Sequence, residues 1–377
     1  MVKIDWEYGP AYPMGIQDSA LGIIDNTIIS AGGFTRHPKD IVRRHPDAFG
    51  GEESGFTNVT FALDMSHKPW TWERIADMPA APPRQGTTPV IVDEAMYVVG
   101  GFNYADPFSY RETFKLEKLD GEWVWEKLPC ELPWPVAEAG AVAIGKNIYL
   151  VGGCDYFRAP GGEVEDLLTE TGRNGNLVGN GLFVLDAEDP HAGWKRLSDL
   201  PGTARMFPGT VALGNLIYVL QGAYAPLNDP SPGPHYFNVA DNWVYDTISE
   251  KWSRLPDGPE GTNRSAVLWR DRAILLIGEY RYPQNQNPDG SRTDIYTEEE
   301  KALQKADALH WKKLFGKAVF CYDIAGGEYT ATDPLLERTS TPMVAIKEDR
   351  VFVLGGEGGK LWHPDAFQIG TVRELTS

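Results

Sequence analysis

The stretch IYLVGG, residues 148–153, is an apolar run closed by two glycines, and near copies of it recur through the chain. MYVVGG stands at 96–101 and VFVLGG at 351–356, while TIISAGG ends at Gly33, IYVLQG at Gly222 and AILLIG at Gly278. Each run follows a turn and an earlier short strand, as in GTTPVIVDEAMYVVGG and GTVALGNLIYVLQG, and the apolar alternation reads as a β-hairpin. A variable stretch comes next, then an outer strand such as LFVLD (182–186) or NWVYD (242–246), then a strand that begins with Trp. Four strands therefore form one sheet, and six copies of the glycine run imply six sheets.

The tryptophan strand has its own spacing. Trp72 to Pro79, Trp194 to Pro201 and Trp252 to Pro259 are each seven apart, and so is Trp6 to Pro13. Residues 2–8 are thus a fourth strand lacking its first three, whereas the C-terminal AFQIGTVREL is a third strand lacking a fourth. The N-terminus is expected to close the last sheet. Sheets joined in a ring by such an exchange make a β-propeller, which leaves only short edges. The expected architecture is all-β: a six-bladed β-propeller in one domain spanning 1–377, its last blade completed by the N-terminal strand. The paired glycines are architectural, since a residue without Cβ lets backbones pass closely near the axis.

Composition agrees. The 377 residues include 42% hydrophobic and 11% aromatic side chains, 40 Gly, 28 Pro and 12 Trp, material for strands and turns around a large core. A formal charge of −18 opposes nucleic acid and anionic membranes as partners. Cys130, Cys154 and Cys321 are far apart with no CxxC, so neither a disulfide framework nor a zinc site is signalled. His37, His45, His235 and His363 show no HxH or HxxxH spacing, and no metal or cofactor is expected. No signal peptide or long apolar segment is visible, which gives a cytoplasmic expectation for the chain as it stands, a trimmed exported protein remaining the alternative.

Function is sought where the repeats break down. Insertions at about 34–58, 154–179, 223–241 and 281–316 open on one face, because the connections after the second strand of each blade all lie there. The longest contains TEEEKALQKADALHWKKLFG, where Thr297 and Glu300 have capping-box spacing and Leu303, Ala306, His310 and Leu314 share one helical face. A short helix in blade 5 is expected, either a lid over the mouth or a surface filler.

Sixteen residues before the first glycine position stand Arg84 (from Gly100) and Arg205 (from Gln221), and Arg338 is seventeen before Gly355. Fourteen before it stand Asp18, Glu138 and Asn263, counted from Gly32, Gly152 and Ile277. Arginines beside carboxylates at related places suit a small anion, since guanidinium binds carboxylate or sulfate bidentately; the alternative is that they tie blades together. After the glycines come Asn103 and Tyr104, Asp155 and Tyr156, Tyr224, then Glu279, Tyr280 and Arg281, and Glu357. Glu279 and Glu357 each follow a glycine directly and read as cognate, with Glu138 a third acid/base candidate.

The paired glycines, the YD or LD of the third strand (Tyr245-Asp246, Leu185-Asp186, Tyr322-Asp323) and the Trp of the fourth resemble the kelch repeat. Within it, YRYPQNQNPDGSRTDIYTEEEKALQKADALHWKKLFGKAVFCYD followed by VFVLGGEGGKLWHPDAF is similar to the N-acetylneuraminate epimerases, best over roughly 263–369. That resemblance implies mutarotation of an acidic sugar: a base takes the proton of the anomeric hydroxyl, the ring opens, an acid protonates the ring oxygen, and an arginine holds the sugar carboxylate. It also implies a glutamate after the glycine of the preceding blade and an arginine six residues on. Here Gln221-Gly222-Ala223 and Asp229 stand at those places. The expected function is a mutarotase- or epimerase-like enzyme on a small acidic carbohydrate at the central mouth. The alternatives are a non-catalytic sugar-binding or protein-interaction propeller, and a lyase or hydrolase.

Overall fold

A computed structural model describes residues 2–36, 54–103, 107–157, 175–226, 236–305, 315–359 and 363–374. Six four-stranded antiparallel sheets carry the repeats. Blade 1 is Ala20–Ile24, Thr27–Ala31, Thr60–Asp64 and Trp72–Arg74. Blade 2 is Thr88–Val92, Ala95–Val99, Glu112–Leu119 and Glu122–Glu131. Blade 3 is Gly140–Ile144, Asn147–Val151, Leu182–Asp186 and Lys195–Arg196. Blade 4 is Gly209–Leu213, Leu216–Leu220, Asn242–Asp246 and Lys251–Leu255. Blade 5 is Ser265–Trp269, Ala273–Ile277, Val319–Asp323 and Glu328–Ala331. Blade 6 is Met343–Lys347, Arg350–Leu354 and Phe367–Glu374, completed by Val2–Tyr8. The innermost strands touch in cyclic order from blade 1 to blade 6 and back to blade 1, so the ring closes.

The apolar runs of the sequence explain this packing. Each is the second strand of a blade and is buried along most or all of its length, because neighbouring blades cover both faces of the sheet. The core is accordingly a set of wedges between adjacent blades rather than one central mass. Ile28 and Leu63 pack with Phe352 between blades 1 and 6, and Tyr97 and Val99 pack with Ile148 and Phe183 between blades 2 and 3. The clasp is as the Trp6–Pro13 spacing predicts. Val2 to Tyr8 pair with Glu374 to Gln368, and the Trp6 indole N–H donates to the Asp333 carbonyl at 3.1 Å.

The second glycine of the repeat acts as a tie between blades. Gly33, Gly101, Gly153 and Gly356 donate their N–H groups to Arg84, Val136, Arg205 and Ile16 carbonyls of the next blade at 2.8–3.0 Å. At Gly153, φ is +85°, and an added Cβ would lie 2.8 Å from the Ala137 carbonyl and 2.9 Å from Ala139 Cβ. The backbone is left-handed there and the space is filled, so glycine is required.

Several insertions build structure of their own on the face where the second strands end. Phe34–Arg36 pairs with Ser54–Phe56, and Cys154–Phe157 with Gly175–Val178. Ala223–Tyr224, Phe237–Val239, Gln284–Gln286 and Arg292–Asp294 form one further sheet, in which the blade 4 insertion meets that of blade 5 through a parallel pair. The helix of blade 5 is Glu298–Lys305. It begins with a reciprocal capping box: Glu300 N–H donates to Thr297 Oγ1 at 3.1 Å and Thr297 N–H to Glu300 Oε2 at 2.9 Å. Ala306, His310 and Leu314 lie outside the described residues. Among the described residues no helix is long and apolar enough to cross a membrane.

Candidate functional site

Two tiers of cognate residues surround the axis on the insertion face. Single β-bridges define the register: Gln17 with Phe34, Gln85 with Phe102, Ala137 with Cys154, Met206 with Ala223, Thr262 with Tyr280 and Ser340 with Glu357. The upper tier is therefore Phe34, Phe102, Cys154, Ala223, Tyr280 and Glu357. The lower tier follows the first bridge partners: Asp18, Gly86, Glu138, Phe207, Asn263 and Thr341. Each of these six has a left-handed φ, between 45° and 62°. Hydrogen bonds link them around the axis: Gly86 N–H to the Asp18 carbonyl (3.1 Å), Glu138 to Gly86 (2.9 Å), Phe207 to Glu138 (2.8 Å) and Thr341 to Asn263 (3.0 Å). Below them lies a cavity of about 180 Å³ lined by residues of all six innermost strands.

The lower tier unites three of the sequence candidates, Asp18, Glu138 and Asn263, and all three line this cavity. Burial pushes the Asp18 carboxyl up to about 7, against a hydrogen bond from Thr341. Burial, reinforced by the Asp18 charge, pushes Glu138 well above the usual carboxylate range.

The arginines behave differently. Arg84 and Arg205 are fully buried, do not line the axial cavity, and turn into their own blades. Arg84 lies over the Tyr110 ring at 3.8 Å, and its Nη1 donates to Glu112 Oε2 at 2.8 Å. Arg205 gives Nη1 to the Gln221 and Asp241 carbonyls, Nη2 to Asp241 Oδ2 at 2.6 Å and Nε to the Thr203 carbonyl. The side chains of both are ties within their own blade, whereas the alternative the sequence left open was a tie between adjacent blades. Arg338 is out of phase with them: Thr339 holds the cognate place, and Arg338 Nε donates to the Gly358 carbonyl. Three arginines aimed at one central space are not what the structure contains.

Glu279 and Glu357 are not cognate either. The inner hairpin of blade 5 turns through Arg270, Asp271 and Arg272, whereas the other five turn through two residues. That extra residue shifts the glycine register. Glu279 N–H donates to the Thr339 carbonyl at 2.9 Å, the bond made elsewhere by the second glycine, so Gly278 occupies the first glycine place and Glu279 the second. Its carboxylate accepts from Arg264 Nη2 at 2.8 Å, a residue one beyond the Asn263 ring position that the count for arginines did not reach. Arg264 is fully buried, and its Nη1 reaches the side chain of Gln221, the residue at blade 4's first glycine place. Burial holds its guanidinium down at about 10, offset by Glu279.

Around the mouth, Asp155 is half-buried on the strand Cys154–Phe157, and burial raises its carboxyl to about 6 against a Ser109 hydrogen bond. Tyr156 and Phe102 have ring centroids 4.4 Å apart. Asn103 is buried, and its side-chain amide donates to the Pro83 carbonyl at 2.5 Å. Tyr280 packs on Phe315 and on Tyr282, a residue the sequence did not single out; Tyr282 stacks on Tyr236 at 5.5 Å. The Tyr282 hydroxyl accepts from Asn263 Nδ2 at 3.3 Å, and burial raises its phenol, with the Glu357 charge a lesser cause. Tyr224 is half-buried at the start of the sheet shared by the blade 4 and blade 5 insertions. Arg281 is paired with Glu260 (3.0 Å) and with Glu300 of the helix (3.5 Å). Tyr104 lies outside the described residues.

Ring closure, glycine ties and sheet order make this chain a kelch-repeat β-propeller. It resembles the N-acetylneuraminate epimerases. A stretch of 149 residues is 38% identical to a kelch domain-containing protein of Vibrio cholerae, covering 36% of this chain and 40% of that protein. N-acetylneuraminate epimerases of Yersinia enterocolitica and Brucella suis are each 25% identical, over 191 and 209 residues, covering 47% and 50% of this chain. The chain spans about half the length of the curated relatives it matches, or less. The solved structure of YjhT superposes with a TM-score of 0.65 at 16% identity, covering 97% of this chain and 99% of that one, which shows the shared fold. No protein-family model matches the chain.

Proposed function

We propose that this propeller is a carbohydrate-active enzyme of the mutarotase or epimerase type, acting on a small acidic sugar at the central mouth. The observation that carries the reading is the pair of acidic residues on opposite sides of that mouth, Asp155 from blade 3 and Glu357 from blade 6, set among the rings of Tyr156, Tyr280 and Tyr282. Mutarotation needs one group to take the proton of the anomeric hydroxyl and another to protonate the ring oxygen, with roles exchanged on closure. A carboxyl near 6 is suited to both at neutral pH. Tyrosine rings supply flat surfaces for the apolar faces of a sugar. The likeness to N-acetylneuraminate epimerases over about half the chain supports an acidic sugar and names the first compound to try.

Anomer exchange of N-acetylneuraminate, followed by NMR saturation transfer, tests this. We expect exchange well above the uncatalysed rate, reduced about 10²-fold or more in Asp155→Asn or Glu357→Gln with the fold intact. Exchange at the uncatalysed rate across a panel of acidic sugars would refute the enzyme reading. Buried Ala223, at the place where the resemblance implies a glutamate, favours a second reading in which the same mouth binds sugar without turning it over.

A further inference from the structure

Three of the six lower-tier residues carry side-chain oxygens able to ligate a cation strongly, and they come from alternate blades: Asp18 from blade 1, Glu138 from blade 3 and Asn263 from blade 5. Between them stand Gly86, Phe207 and Thr341. The pseudo-symmetry of the ring thus distributes the three donors evenly around one axis, all on the wall of one cavity.

Gly86 makes the room. A Cβ built there would fall 2.4 Å from Glu138 Oε1 and 2.8 Å from its Cδ, so the Glu138 carboxyl lies over the glycine that separates it from Asp18. Any larger residue would displace the Glu138 carboxyl. Asn263 gives an independent sign: it is 5% exposed, its Nδ2 donates to the Tyr282 hydroxyl, and its Oδ1 has no hydrogen-bond partner. An amide carbonyl left unpaired at such depth is rare in folded proteins. Among the described residues neither Asp18 nor Glu138 forms an ion pair, and Arg264, the cationic side chain lining the cavity, is paired with Glu279.

We propose that this cavity binds a hard divalent cation of the calcium class, ligated by carboxylate oxygens of Asp18 and Glu138 and by Asn263 Oδ1, with water completing the shell. Two carboxylates balance a 2+ charge. Oxygen donors on three separate blades suit calcium, which accepts six to eight oxygens in flexible geometry, better than magnesium, which demands a tight octahedron. Such an ion would cross-link three blades at the axis. The site lies beneath the mouth and requires no sugar, so it stands apart from the proposed activity.

The experiment uses the full chain, chelator-treated and then dialysed, without sugar. Thermal unfolding is followed against CaCl₂, MgCl₂ and NaCl at matched ionic strength, and Ca²⁺ stoichiometry is read by isothermal titration. A saturable rise in Tm with calcium, a smaller one with magnesium and one ion per chain is the expected result, because an ion that binds only the native state stabilises it. Glu138→Gln should weaken calcium binding more than about tenfold, with a Tm in chelator no lower than the parent's. Asn263→Asp, which adds a carboxylate, should tighten it. Absence of both heat and Tm shift in the parent chain overturns the proposal, as does an equal calcium response in Glu138→Gln or no tightening in Asn263→Asp. Retained anomer exchange in chelator would leave the functional reading standing whichever way this falls.

Discussion

Single residues decide whether the ring can close, and the glycines show it most clearly. Gly153 and Gly145 both have left-handed φ, but the first is packed against Ala137 and Ala139 while an added Cβ on the second meets nothing within 4 Å. Gly145→Ala is expected to destabilise by about 1 kcal/mol, the backbone term alone. Gly153→Ala should lose about 1–3 kcal/mol more as the neighbouring carbonyl is displaced. Urea midpoints of the two variants measure the difference. Arg205→Ala would strand the buried Asp241 carboxylate and should destabilise by about 3–5 kcal/mol, seen as a large fall in Tm. Arg205→Lys should not restore it, because lysine cannot supply the forked contacts. Asp155 gives a pH signature. Its folded-state carboxyl is raised from about 4 to about 6, so the native state holds the proton more tightly, and its contribution to stability is present at low pH and lost as pH rises through that window. Asp155→Asn should flatten that part of the Tm profile between pH 4 and 6.5. Sequence counting found Asp18, Glu138 and Asn263 because backbone register alone fixes that ring. It misplaced Arg84 and Arg205 because a side chain's direction depends on what lies around it, here Glu112, Tyr110 and Asp241.

At the scale of elements, periodic strands were legible and departures from period were not. The apolar runs, the Trp–Pro spacing and the capping box at Thr297 state local geometry directly, and each of those elements forms. One extra residue in the hairpin turn of blade 5 moved Glu279 into a glycine's place, and no count made from the glycine could see it. The parallel pairing of Phe237–Val239 with Gln284–Gln286 was invisible for a related reason: it joins insertions of two blades, and neither carries a repeat. The N-terminal strand offers the sharpest test here. Deleting Val2–Tyr8 removes seven ladder pairs and bares the long strand Phe367–Glu374 at an open edge. Such an edge invites pairing with another chain. The truncated protein should unfold less cooperatively and self-associate, as size-exclusion chromatography and thermal scans would report.

For the molecule as a whole, the division of labour follows from the ring. Wedges of apolar side chains between blades hold the shape, which leaves the axis free for polar groups that a single central core would have excluded. The fold was readable because six repetitions of one pattern reinforce each other. The site was only partly readable because it is assembled once, from non-repeating insertions and from whichever side chains happen to occupy cognate ring positions. The paired strands Val2–Tyr8 and Phe367–Glu374 also impose an order of events. During synthesis Val2–Tyr8 has no partner until Phe367–Glu374 has been made, so five blades can assemble along the nascent chain while the sixth waits, and the ring around the axis closes only when that strand arrives.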